Sequence, residues 1–264
     1  MKRIGYTSLA TLALTAGLAA FAFATPVPNS AVISTRLYND CPTSILSSVN
    51  AYPVLVSITD VMNPNCVGFA NRHAWSFSED GGATPSLFVN GSHFRFSADV
   101  TISGGGFGEG GLRFSPWWTQ LIDGVFMINS GTGEIACFAG RLPFYSFTVA
   151  YGLSYVQGST VHMDIEYLAN GLSMASPATI KYTYTDGSGT YTSGPLAYDQ
   201  GNPAEDPPHG LWGNTNDSMA GGYFMPRASS GSDLTCKWEN INYTNLDVVD
   251  AKTSSWGRLK ALYR

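Results

Sequence analysis

Val161-His162-Met163-Asp164-Ile165-Glu166-Tyr167 alternates polar and apolar residues with a period of two, the mark of a half-buried strand. Met163, Ile165 and Tyr167 are predicted to face a core, and His162, Asp164 and Glu166 to line the other face. The stretch from His93 to Ile102 alternates in the same way. It turns Phe94, Phe96, Ala98, Val100 and Ile102 inward and Arg95, Ser97, Asp99 and Thr101 outward. Further strand-like runs are Tyr52 to Ile58, Leu112 to Phe114, Val125 to Asn129, Glu134 to Phe138, Phe144 to Val149, Gly222 to Met225 and Leu234 to Tyr243. Thr179 to Tyr184 and Thr190 to Thr192 flank Asp186-Gly187-Ser188-Gly189, a hairpin signal, and Asn170-Gly171 marks a turn. No helix-period segment of useful length interrupts residues 70–245. The run Gly104 to Gly111 follows a strand without opening a helix, so it fails the context test for a nucleotide-binding loop and reads as a flexible connection.

Composition agrees with an all-β sandwich. Charged residues are 12% of the 264-residue chain, while glycine, at 29 residues, is abundant enough to supply many turns. The N-terminus reads as a secretory signal: Lys2 and Arg3, an uncharged run from Leu9 to Phe23, and an Ala22-Phe23-Ala24 cleavage pattern. The run is short for a membrane span. Cleavage after Ala24 removes two basic residues and no acidic one, so the mature chain is more acidic than the net charge of −5. An acidic chain without a Lys/Arg cluster in its body is a poor nucleic-acid binder. Expected boundaries are a signal peptide at 1–24, a leader and Cys-bounded extension at 25–68, the sandwich at 69–246, and a linker with a basic aromatic tail at 247–264. The expected location is secreted or at the cell surface.

Export permits disulfides. Cys41 and Cys66 bracket one short segment and are expected to pair, whereas Cys137 and Cys236 could be a second bridge or two buried thiols. In the tail, Trp256, Leu259 and Tyr263 fall at helical spacing beside Arg258, Lys260 and Arg264. This fits a terminal helix docking on the domain. It also resembles the short aromatic-basic tails of some secreted bacterial proteins, which implies recognition by export or anchoring machinery.

Three segments, Phe94 to Val100, the 161–167 strand with Asn170-Gly171, and Trp238 to Tyr243, resemble strands of the concanavalin A-like lectin/glucanase superfamily, which includes laminin-G-like modules. The resemblance implies a two-sheet antiparallel jelly roll with one concave face. The 161–167 strand is also similar to the Glu-x-Asp-x-Glu motif of family 16 glycoside hydrolases. Asp164 falls on that family's electrostatic helper and Glu166 on its acid/base, but His162 stands where the nucleophile should be. An imidazole cannot form the glycosyl ester of a retaining hydrolase. Three readings of the strand stay open: a solvated sheet face, a sugar- or cation-binding face, and a hydrolytic centre with a carboxylate from elsewhere.

Other candidates flank it. One of Trp117 and Trp118, adjacent after Pro116, could be exposed as a stacking platform for a sugar ring, extended by Trp212, Tyr145, Tyr191 or Tyr198. The proline-stiffened stretch Pro203 to Trp212 holds Glu205, Asp206 and His209 and leads to Asp217, an oxygen-rich set that suits a hard cation such as Ca²⁺. His73, His93 and His209 show no metal-ligand spacing. There is no G-x-S-x-G and no βαβ pattern, which disfavours a serine hydrolase. The expectation is a non-catalytic module that binds a polysaccharide or another surface ligand and needs no cofactor. Its alternatives are a glycoside hydrolase using Glu166 and a structural cell-envelope protein.

Overall fold

The alternating runs become strands that lie side by side. In the computed structural model, which describes residues 25–115, 124–139, 142–198, 209–211 and 218–247, the run from residue 93 is a strand, Phe94–Gly104, and the 161–167 run is a strand, Thr160–Leu168. They pair antiparallel, with His162 opposite Asp99, Asp164 opposite Ser97 and Glu166 opposite Arg95. In chain order the described strands are β1 (Ser30–Asn39), β2 (Ile45–Ala51), β3 (Leu55–Val61), β4 (Asn71–Ser78), β5 (Phe94–Gly104), β6 (Gly108–Ser115), β7 (Gly124–Asn129), β8 (Ile135–Phe138), β9 (Tyr145–Ser146), β10 (Thr160–Leu168), β11 (Thr179–Asp186), β12 (Gly189–Ala197), β13 (Met219–Pro226) and β14 (Asp233–Asn245). They form two seven-stranded sheets, β1-β4-β13-β6-β7-β8-β9 and β12-β11-β10-β5-β14-β3-β2. All neighbours in both sheets are antiparallel, the architecture of a two-sheet jelly roll.

The inward residues of both sheets form one core. Phe94, Phe96, Ala98, Val100 and Ile102 are buried, as their alternation predicts, and so are Met163, Ile165 and Tyr167. Aromatic rings fill much of the space. Phe77 sits edge-on to Trp75 at 5.1 Å and to Phe96 at 5.3 Å. Such pairs add about 0.5–1.5 kcal/mol each beyond the area they bury. Trp75 of the first sheet meets Trp238 of the second at 6.2 Å, nearly perpendicular. The Trp238 indole N–H reaches across the sandwich and donates to the Gly111 carbonyl at 2.9 Å.

Two glycines make this contact possible. A Cβ on Gly222 would lie 2.2 Å from Trp75 Nε1 and 2.6 Å from Trp238 Nε1. Gly111 has φ +150°, and its Cβ would lie 2.1 Å from the Phe126 carbonyl oxygen. The glycine-rich run is therefore not the flexible loop that its composition suggested. Its second half is strand β6, where missing side chains let two backbones and two indoles approach.

Other expectations shift as well. Only Tyr145–Ser146 of the 144–149 run is strand; Phe147–Tyr151 is a short helix, α1, with Ser146 as its N-cap (accepting from Val149 N–H) and Gly152 at its C-terminus in the left-handed region. Local capping outweighs the β propensity of a short apolar run. The segment 25–68, read as an extension, supplies β1 to the first sheet and β2 and β3 to the second. Cys41 and Cys66 are bonded, with Cα atoms 5.7 Å apart. Cys137 and Cys236 are free and buried, and burial pushes both thiols well above their ordinary range. The signal region and the tail lie outside the described residues.

Gly222→Ala should destabilise the fold by about 1–3 kcal/mol, the range for overpacking a tight core, read as a lower denaturant midpoint at unchanged m-value. Paired Cys41→Ser and Cys66→Ser substitutions should cost about 2–4 kcal/mol, because they release a loop with a sequence separation of 25 in the unfolded chain. The same denaturation measurement checks both.

Candidate functional site

The outward residues of β10 lie between two neighbouring strands, β5 and β11. In the register, His162 lies between Asp99 of β5 and Thr185 of β11, Asp164 between Ser97 and Thr183, and Glu166 between Arg95 and Lys181. Cross-strand neighbours of opposite charge attract. Lys181 Nζ donates to Glu166 Oε1 at 2.9 Å. Arg95 then turns diagonally and its Nε donates to Asp164 Oδ2 at 2.6 Å. His162 Nδ1 lies 2.7 Å from Asp99 Oδ1.

The other wall comes from β14, and it depends on a bulge. Glu239 pairs with Asp99 and Asn242 with Ser97, so β14 carries one extra residue over that interval. Asn240 takes φ +50°, a conformation that asparagine tolerates better than most residues. The displaced backbone stays satisfied: the Asn240 N–H donates to the Val54 carbonyl and the Ile241 N–H to the Pro53 carbonyl. The bulge lets Trp238 and Tyr243, five residues apart, both pack inward. It also aims Asn240 at the polar face, where its Nδ2 donates to Asp99 Oδ2 at 2.7 Å.

These residues enclose a depression of about 260 Å³, lined by Arg95, Ser97, His162, Asp164, Asn240, Asn242 and Thr244. Asp164 is its most constrained group. The side chain is 2% exposed while its partner Arg95 is 51% exposed. Asp164 Oδ1 is buried and has no hydrogen-bond partner among the described residues. An unmade hydrogen bond on a buried carboxylate costs about 1–3 kcal/mol or more. Burial pushes the Asp164 carboxyl above the usual aspartate range; Arg95 opposes the shift, and the Glu166 charge adds to it. The same contact raises the Arg95 guanidinium. The depression therefore sets a buried carboxylate, one of whose oxygens has no partner, beside guanidinium and amide donors. Three carboxylates here are already held: Asp164 by Arg95, Asp99 by His162 and Asn240, and Glu166 by Lys181.

Of the residues singled out from sequence, His162 and Asp164 line the depression. Glu166 lies beside it, tied to Lys181. Tyr198 is buried in the core, and Tyr145 and Tyr191 pack near α1. Buried His209 donates from Nδ1 to the Tyr198 carbonyl (2.7 Å). Trp117, Trp118, Trp212, Glu205, Asp206 and Asp217 lie outside the described residues. Among the described residues no three His, Cys, Asp or Glu side chains converge as a metal site would require. Sequence reasoning did not single out Asn240 and Asn242. Their signal was the odd spacing of Trp238 and Tyr243, which a regular strand cannot turn to one face. A second polar cluster lies on the far face of the first sheet. There Arg113 donates to Ser76 Oγ at 2.9 Å, Arg72 lies over the Tyr223 ring, and Arg227 pairs with Glu109 at 2.7 Å.

Fold and site together define a two-sheet antiparallel β-sandwich with a polar depression on one sheet. No protein-family model matches the sequence, and no curated protein matches it. Solved structures of similar shape include an alginate lyase from Corynebacterium sp. (13% identity, TM-score 0.41, covering 74% of this chain and 79% of that one). They also include the Lotus tetragonolobus seed lectin (11%, 0.42, 84% and 96%) and the Emp47p carbohydrate recognition domain (10%, 0.40, 83% and 90%). Likenesses this remote say nothing of ligand or activity.

The Asp164 carboxyl should titrate above the ordinary aspartate value of about 3.9, and Arg95→Met should move it further up, because the guanidinium opposes the shift. Carboxyl carbon chemical shifts across a pH series read both. The sign for stability follows. A carboxyl with a raised folded value binds its proton more tightly when folded, so stability falls as pH rises from the unfolded value through the folded one. A downward shift in Arg95→Met would contradict the guanidinium as the group that opposes the shift.

Proposed function

We propose that this protein is an exported, non-catalytic module that holds a sugar unit of a glycan on the outer face of the second sheet. The observation that carries the reading is a polar depression lined by Arg95, His162, Asp164, Asn240 and Asn242, with one carboxylate oxygen of Asp164 left without a partner. A sugar presents adjacent hydroxyls, each able to donate and to accept. One hydroxyl donating to Oδ1 would complete the carboxylate, while its neighbour accepts from Arg95 or from the Asn242 amide. The volume of about 260 Å³ lies below the roughly 300–1,000 Å³ of drug-sized pockets, which suits a single ring rather than a long cleft. A catalytic reading has less support, since hydrolysis needs one protonated and one free carboxyl and these carboxylates are held by fixed partners.

Export is part of the same proposal. It is supported by the basic start, apolar run and Ala-x-Ala pattern of residues 1–24 and by the Cys41–Cys66 bond, a feature of oxidising compartments. The basic aromatic tail is proposed to engage export or anchoring machinery.

Affinity gel electrophoresis across a panel of soluble polysaccharides, with and without calcium, tests the binding reading. One glycan class should retard the mature protein. Asp164→Asn should weaken that retardation by roughly tenfold, about 1.4 kcal/mol. The amide oxygen would stay on Arg95 and present a donor where the acceptor stood. Asn242→Ala should act in the same direction, and Glu166→Gln should leave binding within about twofold. Uniform migration with every glycan would sink the proposal, and release of new reducing ends would replace it with a hydrolase.

A further inference from the structure

Thr25 is the first residue after the cleavage pattern Ala22-Phe23-Ala24, and the body of the fold holds it on three sides. Its backbone nitrogen lies 3.2 Å from Asp247 Oδ2. Its carbonyl accepts from Asn245 Nδ2 at 3.2 Å. Its hydroxyl oxygen accepts from the His93 N–H at 3.1 Å, and that N–H also lies 3.3 Å from Asp247 Oδ1. Two residues on, the Val27 N–H donates to Glu79 Oε1 at 2.7 Å. Asp247 and Glu79 thus flank residues 25–27 with carboxylates, and neither forms a salt bridge with a cation among the described residues. Both negative charges also reach Tyr243, whose hydroxyl is pushed up first by burial and then by Asp247 and Glu79. The position is electronegative, and the nitrogen nearest to it is the one that cleavage would set free.

We propose that Asp247 is a receptor for the new N-terminus: cleavage after Ala24 turns the Thr25 amide into an α-ammonium that pairs with the Asp247 carboxylate. This rests on the export reading above. In the step, a signal peptidase adds water across the Ala24–Thr25 peptide bond. The carboxylate remains on Ala24, and the amine of Thr25 takes up a proton. The hydrogen bond from a neutral amide to the Asp247 carboxylate becomes a hydrogen-bonded ion pair. The α-ammonium also gains donors that the amide lacked. The pair would tie the start of the mature chain to the end of β14 and to the residue that leads into β5, the two strands that carry Asn242 and Arg95.

The pairing can be read apart from export. The chain 25–264 is released by a site-specific protease so that it begins at Thr25, and its α-amine is then selectively acetylated near neutral pH. Acetylation should lower Tm by roughly 2–4 °C, the shift expected from about 1 kcal/mol in a chain of this size. In Asp247→Asn the same acetylation should leave Tm unchanged. An equal effect in both backgrounds, or none in the wild type, would overturn the ion pair. N-terminal sequencing of the exported protein tests the processing step separately. A first residue of Thr25 supports it, and any other start overturns it without touching the Tm comparison.

Discussion

The contact of Trp75 with Trp238 against Gly222 bridges the two sheets and leaves little freedom in how they pack. Two indoles from opposite sheets fit there only because β13 presents no side chain at that point. The Trp238 N–H finds its acceptor in the backbone of the opposite sheet, at Gly111, so a polar group buried in the centre is satisfied and the sheet spacing is set by a hydrogen bond as well as by packing. Close packing leaves little room to adjust, and the aromatic layer from Phe77 through Phe96 inherits its geometry from that contact.

The outer face of the second sheet follows from the same packing. With the apolar side of β5, β10 and β14 committed to the core, the pleat leaves their polar residues on one surface. Charge then sorts them. Lys181 takes Glu166, Arg95 takes Asp164, and His162 and Asn240 share Asp99. What remains unmatched is one oxygen of Asp164, buried below a guanidinium that is itself half exposed.

The bulge in β14 links core and site. It keeps Trp238 and Tyr243 on the same side despite their odd spacing, and the residue it inserts places an asparagine amide on Asp99. Its displaced N–H groups are taken up by the turn before β3. Residues 53–54 therefore support a site whose side chains lie on other strands, and β2 and β3 of the N-terminal segment belong to the same sheet as the site.

Alternation alone determined β5 and β10 with their inward and outward faces, the all-β class and the place of His162, Asp164 and Glu166 on one surface. The pleat has a fixed period of two, and side-chain polarity reports it directly. Sequence proximity also pointed to the Cys41–Cys66 bond. Tertiary structure alone decided which polar residues meet, that Glu166 is tied to Lys181 while Asp164 keeps a buried free oxygen, that the glycine-rich run is a packed strand, and that Thr25 lies against Asp247. These depend on register between strands far apart in the chain and on which backbone can approach which. A one-dimensional pattern carries neither, because the energy of a cross-strand pair belongs to two positions at once.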